Sequence, residues 1–227
     1  MDLKQAMEAR HSVRRYEPRP LAEETAAALR KEIDRLNAES GLHIQLVLNE
    51  PRAFDGFMAH YGHFSGVTNY FALVGNKKDP LLEEKCGYYG ETLVLSAQTL
   101  GLNTCWVALT FKKIPSAYRV EKGEKLAIVI ALGYGETEGK PHVSKSAETV
   151  GGPLAGTPDW YRAGVAAVLL APTAVNQQKF RFSYENGLVR AETAPGVCAR
   201  IDLGIAKRHF ELGAGKDAGI WESAHEK

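Results

Sequence analysis

The sequence contains little that would suit a secreted, membrane-spanning or nucleic-acid-binding protein. Its 227 residues include only three cysteines, whose wide separation predicts neither a disulfide framework nor a zinc site. The longest apolar run, 165–171, is far shorter than the roughly 20 residues that a membrane-spanning helix needs. Since 28 basic and 27 acidic residues leave a net charge of +1, no global field attracts nucleic acid. We therefore expect a cytoplasmic protein that binds neither membranes nor nucleic acid.

The composition and the periodicity of the first 150 residues indicate a folded protein of helices and strands. The hydrophobic fraction is 44% and the charged fraction 24%. Apolar residues at helical spacing predict helices over 1–10, 23–40 and 87–100, the last of them ended by Gly101. Apolar and alternating segments predict strands over 42–48, 70–75, 104–109 and 126–132. The polar stretch 133–153 is predicted to be a loop and linker.

A similar order of elements recurs beyond residue 153. The sequence predicts a helix over 160–170, strands over 179–185 and 188–192 joined by an Asn186-Gly187 turn, and a helix over 201–213. This recurrence indicates a duplication, with two half-folds over 1–150 and 151–227 that pack about a pseudo-two-fold axis. We expect an α+β fold in which a mixed or antiparallel sheet is flanked by helices.

A basic segment follows the first predicted helix. Arg10, Ser12 and Arg14 are spaced two residues apart, with His11 and Arg15 beside them. Guanidinium groups and a hydroxyl group suit a dianionic monophosphate, because arginine presents a planar set of donors and stays charged. A solvated basic patch would contain the same residues, so the spacing alone leaves both interpretations open.

A second segment, 171–178, combines a proline with small and amide-bearing residues. Pro172 ends the preceding helix, and the chain then turns into a strand. Backbone N–H groups and amide side chains in such a turn suit the edge of a planar heterocycle. An ordinary connection between a helix and a strand would look similar.

Other patterns do not predict a catalytic site. The glycines of 133–139 follow a strand, but a polar segment stands where a dinucleotide-binding fold needs a helix. His60 and His63 have no further metal ligands nearby in sequence, and no nucleophile elbow or paired catalytic carboxylates are evident. We therefore expect no metal ion and no acid or base side chain in a catalytic role.

Four segments together resemble the nitroreductase and flavin reductase family. Segment 10–16 is similar to its opening R-x-S-x-R-x-aromatic motif, and segment 171–178 to its A-P-S-x-x-N-x-Q motif. Segment 90–106 resembles its central helix and flavin-facing strand, and 132–135 resembles its G-Y-P turn. The resemblance implies a nitroreductase-like fold that binds FMN non-covalently.

The order of these motifs differs from that of ordinary family members. There, the A-P-S-x-x-N segment follows the first motif closely and reaches the flavin from the partner subunit. Here the matching segment lies in the second half, at 171–178. The chain thus resembles a tandem subgroup, which implies a fused pseudo-dimer with one flavin site per chain and a monomeric or weakly dimeric state.

The resemblance also implies which residues form the FMN site and which reaction it supports. The expected site residues are Arg10, His11, Ser12, Arg14, Trp106, Val107, Ala108, Leu109, Lys145, Pro172, Thr173, Ala174, Asn176 and Gln178. NADH or NADPH would be the electron donor, and a small organic molecule such as a nitroaromatic compound or a quinone the acceptor. Two alternatives stay open: a flavin-binding carrier or sensor whose pocket the loop 56–69 closes, and a non-flavin protein that binds another phosphorylated ligand.

Overall fold

A four-stranded antiparallel sheet forms the centre of the molecule in the computed structural model, which describes residues 1–222. Its strands are β1 (His43–Val47), β2 (Asn69–Asn76), β3 (Asn103–Val107) and β4 (Glu124–Gly133). They lie in the order β1-β2-β4-β3, and every neighbouring pair is antiparallel. The two most apolar predicted strands are therefore the two central ones, since both faces of a central strand are covered.

Helices flank this sheet, as predicted for an α+β fold. They are α1 (Leu3–Ala9), α2 (Glu23–Ser40), α3 (Phe57–Tyr61), α4 (Leu82–Thr99), α5 (Ala147–Gly151), α6 (Asp159–Val168) and α7 (Ala199–Ala214). A separate hairpin pairs β5 (Phe180–Glu185) with β6 (Leu188–Thr193) around the predicted Asn-Gly turn. None of the helices in 1–222 is long and apolar enough to cross a membrane.

Alternate side chains of β2 point to opposite faces of the sheet, and each face packs against a different hydrophobic core. Phe71 and Leu73 point to the larger core, which also contains Leu93 of α4 and Phe210 of α7. Tyr70, Ala72 and Val74 point to the other face, where they pack against segment 53–67. The larger core thus takes side chains from both predicted half-folds, and the boundary at residue 150 stays a prediction.

Helices α4 and α7 cross at a pair of glycines. A Cβ atom added to Gly87 of α4 would lie 2.0 Å from the carbonyl oxygen of Ile201. A Cβ atom added to Gly204 of α7 would lie 2.0 Å from the carbonyl oxygen of Glu84. The contact is reciprocal, so the two helices approach backbone to backbone, which only residues without side chains permit.

The structure corrects several predicted boundaries. The polar stretch 133–153, predicted as a loop, contains α5. Helix α4 begins at Leu82, five residues before the predicted start, because the acidic residues of its first turn interrupt the apolar pattern. Strand β3 ends at Val107, and the sequence pattern did not indicate the short helix α3. Short elements make few periodic contacts, so periodicity predicts them poorly.

Candidate functional site

The predicted basic segment lies beside strand β3 as an extended chain. Helix α1 ends at Ala9, and the next residue, Arg10, has an extended backbone conformation. The chain then runs parallel to β3, where the N–H of Val13 donates to the carbonyl oxygen of Thr104 at 3.0 Å. Because side chains alternate along an extended segment, Ser12 and Arg14 line a cleft while Val13 is buried in the core.

The loop after α6 forms the opposite wall of this cleft. Pro172 is buried, and a short 3-10 turn follows at Ala174–Asn176. Val175, Asn176 and Gln178 have left-handed backbone conformations, with φ values of 47°, 54° and 44°. A β-branched residue such as valine is rare in this region, so the loop is held in a strained shape.

Asp202, in the first turn of α7, stabilises that loop. Its carboxylate accepts a hydrogen bond from the N–H of Ala174 at 3.0 Å and another from Nε2 of Gln177 at 2.7 Å. Burial raises the pKa of Asp202 to about 6, although both hydrogen bonds oppose that rise. No local pattern indicated this role, since Asp202 and Ala174 lie 28 residues apart.

Two adjoining clefts share the walls formed by these segments. One has a volume of about 260 Å³ and is mainly apolar; the end of β3 and the start of α7 line it with Trp106, Ala108, Leu109, Ile201 and Ile205. The other has a volume of about 470 Å³; its polar lining includes Arg10, Lys140, His142 and Asn176. Both are lined by Ser12, Arg14, Pro172, Thr173 and Val175, so they form one elongated depression with an apolar end and a cationic end.

The structure brings most of the predicted site residues to this depression. The exceptions are His11, Val107, Lys145 and Gln178. Val107 is buried in the smaller core, because it alternates along β3 with Trp106 and Ala108. His11 alternates in the same way with Arg10 and Ser12 and borders a separate small pocket. Both residues were expected to bind the cofactor, but in the structure their side chains do not line the depression.

Lys145 and Gln178 support the loop from behind. The ammonium group of Lys145 donates to the carbonyl oxygens of Gln177 and Gln178, at 3.1 and 2.7 Å. The amide of Gln178 donates to Oδ1 of Asn176 at 2.7 Å and to the carbonyl oxygen of Val143 at 2.9 Å. Both residues were expected to contact the ligand directly. In the structure they hold the loop that forms the cleft wall.

Charged side chains are buried behind the cationic end of the depression. Arg10 is 4% exposed and Glu91 0% exposed, and Nε of Arg10 lies 3.9 Å from Oε1 of Glu91. Glu91 also accepts a hydrogen bond from Nε1 of Trp106 at 3.0 Å, and Nε2 of His209 lies 2.9 Å from its other oxygen. Glu91 therefore contacts residues from both ends of the depression.

The two histidines near the cationic end are largely uncharged at neutral pH. Burial lowers the pKa of His142, whose Nε2 contacts the carbonyl oxygen of Leu169 at 3.0 Å. Burial and the neighbouring Arg10 lower the pKa of His11. His142 and Lys140 belong to a polar stretch without landmarks, so the sequence pattern did not identify them as cleft residues.

Comparisons with known proteins agree with this architecture. A family model described as "Putative TM nitroreductase" matches residues 2–214. A structure from Thermotoga maritima, described as a "putative nitroreductase", is 23% identical with a TM-score of 0.64 and covers 94% of this chain and 83% of that chain. A nitroreductase-like protein from Streptococcus mutans is 14% identical with a TM-score of 0.53, covering 64% of this chain and 94% of its own. None of the curated proteins searched matches the chain.

A further solved structure is a nitroreductase from Bacteroides fragilis with bound FMN. It is 19% identical with a TM-score of 0.47, and the match covers 70% of this chain and 97% of that chain. The likeness of fold rests on the Thermotoga maritima and Streptococcus mutans structures, and at such identities it shows the fold alone. The family model, however, spans both the basic segment and the loop after α6. The chain therefore belongs to this nitroreductase family, whose members are oxidoreductases.

Proposed function

We propose that the depression binds one FMN, with its phosphate at the cationic end and its flavin ring at the apolar end. The observation that carries this proposal is the continuity of the two clefts, which share Ser12, Arg14 and Pro172. FMN combines a dianionic phosphate with a planar ring system, so it needs cationic donors and apolar surface in one site. Sites for such cofactors are typically concave and mostly apolar, with a few polar groups that fix orientation.

The donors at the cationic end fit a phosphate. Nε of Arg10 is buried and has no hydrogen-bond partner within residues 1–222. A buried donor without a partner costs about 1–3 kcal/mol, which an anion in the cleft would recover. Arg14 and Ser12 follow on the same side of the chain, and Lys140 lines the same cleft. Guanidinium groups are well suited to phosphate oxygens, because they form paired hydrogen bonds.

The apolar end fits a flat ring and an apolar acceptor. Trp106 and Ile205 line it together with the loop after α6. At its mouth Leu109 is 72%, Val175 92% and Val197 61% exposed. Large apolar side chains at the entrance favour an aromatic or quinone-like acceptor over a charged one.

The chain's own residues bind and orient, and the cofactor does the chemistry. Bound FMN supplies two-electron transfer from NADH or NADPH to a small organic acceptor such as a nitroaromatic compound or a quinone. The cationic end fixes one end of the ligand, while the apolar side chains exclude water from the other. No acid or base side chain is assigned a catalytic role.

We extend this proposal to the arrangement of the chain. Residues up to 150 provide the cationic wall, and the remainder provides the loop of 172–176 and the start of α7. The second half then takes the place that a partner subunit has in a dimeric member, so one chain makes one site. We propose a monomer or weak homodimer of pseudo-dimers, which sedimentation analysis tests.

Titration of the protein with FMN tests the proposed site. We expect a yellow protein, or one that binds added FMN, and at least a tenfold loss of affinity in Arg14→Ala, because a charge-assisted hydrogen bond contributes about 1.5–3 kcal/mol. Arg15→Ala is the matched control, since Arg15 pairs with Glu136 at 3.5 Å and lines neither cleft. A colourless protein that fails to bind FMN would refute the proposal.

Anaerobic reduction distinguishes the enzyme from a carrier or sensor. We expect NADH or NADPH to bleach the flavin absorption, and added nitroaromatic or quinone to restore it. Segment 56–69, which would close the pocket of a carrier, lines neither cleft. Flavin absorption that both nucleotides leave unchanged would support the carrier instead.

A further inference from the structure

Behind Arg10, a carboxylic acid and an imidazole meet in the interior. Glu91 on α4 and His209 on α7 are both 0% exposed. Nε2 of His209 lies 2.9 Å from Oε1 of Glu91, and its Nδ1 lies 3.1 Å from the carbonyl oxygen of Ala167. The second carboxylate oxygen accepts the N–H of Trp106 at 3.0 Å. Both ring nitrogens therefore face oxygen atoms in a place that water does not reach.

The hydrogen bonds of His209 require one more proton than a neutral ring and a carboxylate provide. A carbonyl oxygen only accepts, so Nδ1 must carry a proton and donate to Ala167. A neutral imidazole has a single N–H, which leaves Nε2 as an acceptor. An ionised carboxylate is also only an acceptor, so a contact at 2.9 Å needs a proton on Nε2 or on Glu91.

We propose that Glu91 and His209 share this additional proton, so that Arg10 keeps a positive charge that Glu91 does not neutralise. The pair is neutral as a whole whether the proton lies on the ring or on the carboxyl group. The net charge of Arg10, Glu91 and His209 together is then +1, whichever of the last two carries the proton. The contact of 3.9 Å between Arg10 and Glu91 resembles an ion pair in which Glu91 neutralises Arg10. The shared proton, however, already balances the negative charge of Glu91.

This uncompensated charge gives the cationic end its affinity for an anion. Arg10 borders the polar cleft, whereas Glu91 and His209 do not. His142 also lines this cleft and His11 borders the small pocket beside it; the pKa of each is lowered by burial, so neither adds much charge at pH 7.5. The pair thus acts as a positioning unit that keeps Arg10 available. Taking the anion to be the FMN phosphate rests on the proposed function.

Nuclear magnetic resonance of labelled protein tests the proton count directly. At about pH 7.5 we expect Nδ1 of His209 to be protonated, together with either a protonated Nε2 or a protonated Glu91 carboxyl group. In Glu91→Gln the amide can donate to Nε2 and accept from Trp106, so Nδ1 should be protonated and Nε2 should carry no proton. A neutral His209 beside an ionised Glu91 in the natural protein would overturn the proposal.

FMN binding to variants of Glu91 and His209 tests whether the shared proton keeps the charge of Arg10 available to the ligand. Glu91→Gln preserves the sum of one positive charge, so FMN affinity should stay within about threefold. His209→Gln leaves an ionised Glu91 beside Arg10, so affinity should fall about tenfold or more, as expected for losing one unit of charge near the ligand. The double variant should restore it. Riboflavin, which lacks the phosphate, should bind equally well to all four proteins.

The outcomes separate this inference from the proposed function. Unchanged FMN affinity in His209→Gln, or a Glu91→Gln variant as weak as His209→Gln, would overturn the inference. A parallel loss of riboflavin affinity would do the same, because it would indicate a general structural effect. If the natural protein binds no FMN, the proposed function fails, while the magnetic resonance measurement still decides the proton count.

Discussion

Replacing Gly204 with alanine tests the packing of α4 against α7. Alanine normally stabilises a helix by about 1 kcal/mol relative to glycine, because it restricts the unfolded chain. At Gly204, however, the new Cβ atom would lie 2.0 Å from the carbonyl oxygen of Glu84 and 2.7 Å from the amide nitrogen of Tyr88. Backbone atoms cannot rotate away, so the two helices must separate.

The expected loss of stability follows from this geometry. Ordinary contacts between carbon atoms lie at about 3.5–4.0 Å, so the helices would have to move apart by more than an ångström. Overpacking costs about 1–3 kcal/mol, and a clash with backbone belongs at the upper end. After the gain in helix propensity, about 2 kcal/mol remains, which corresponds to about 4–8 °C in the midpoint of thermal unfolding.

Urea and thermal unfolding, followed by circular dichroism, measure this effect. Gly87→Ala should behave like Gly204→Ala, because its Cβ atom would lie 2.0 Å from the carbonyl oxygen of Ile201. Gly56→Ala is the control, since no atom lies within 4 Å of its added Cβ and we expect little change. Unchanged or increased stability in both helix variants would refute the inferred close crossing.

Two further predictions concern the loop after α6. Because burial raises the pKa of Asp202 to about 6, its contribution to the free energy of unfolding is present below the unfolded value near 3.8 and is lost as pH rises through 6. The free energy of unfolding of Asp202→Asn, taken relative to that of the natural protein, should therefore be higher at pH 7.5 than at pH 4.5, by on the order of 2 kcal/mol. Urea titrations at both pH values measure this difference, and a difference that did not change with pH would refute the reasoning. Val175→Gly should raise the midpoint of thermal unfolding slightly, because the strain that it removes, about 1–3 kcal/mol, exceeds the roughly 0.4–1 kcal/mol that glycine's freedom in the unfolded chain costs, and the side chain that is lost is 92% exposed. A lower midpoint would contradict this reasoning.

Local patterns predicted much of the fold, because its main elements are long and regular. Helix α2 begins and ends at the predicted residues, and the apolar run of β4 is central in the sheet. Successive side chains of a strand point to opposite faces of the sheet. In the predicted strand 104–109 this alternation places Val107 on the other face from Trp106. Its inclusion among the ligand-contacting residues came from the resemblance and not from strand geometry.

The supporting contacts of the site could not be predicted in this way. Glu91 and His209 are separated by 118 residues, and only the crossing of α4 and α7 brings them together. No local spacing indicates such a pair, and each residue alone is compatible with an ordinary helix. The sequence therefore indicated the two walls of the depression but not the buried groups that hold those walls in place.

The stoichiometry and phosphate dependence of flavin binding test the central claim most directly. In a fluorescence titration we expect one FMN per chain, with an affinity at least tenfold higher than that for riboflavin, because Arg10 and Arg14 bind the phosphate. Two equivalent FMN molecules per chain, or equal affinities for FMN and riboflavin, would contradict a single site built from one cationic and one apolar end.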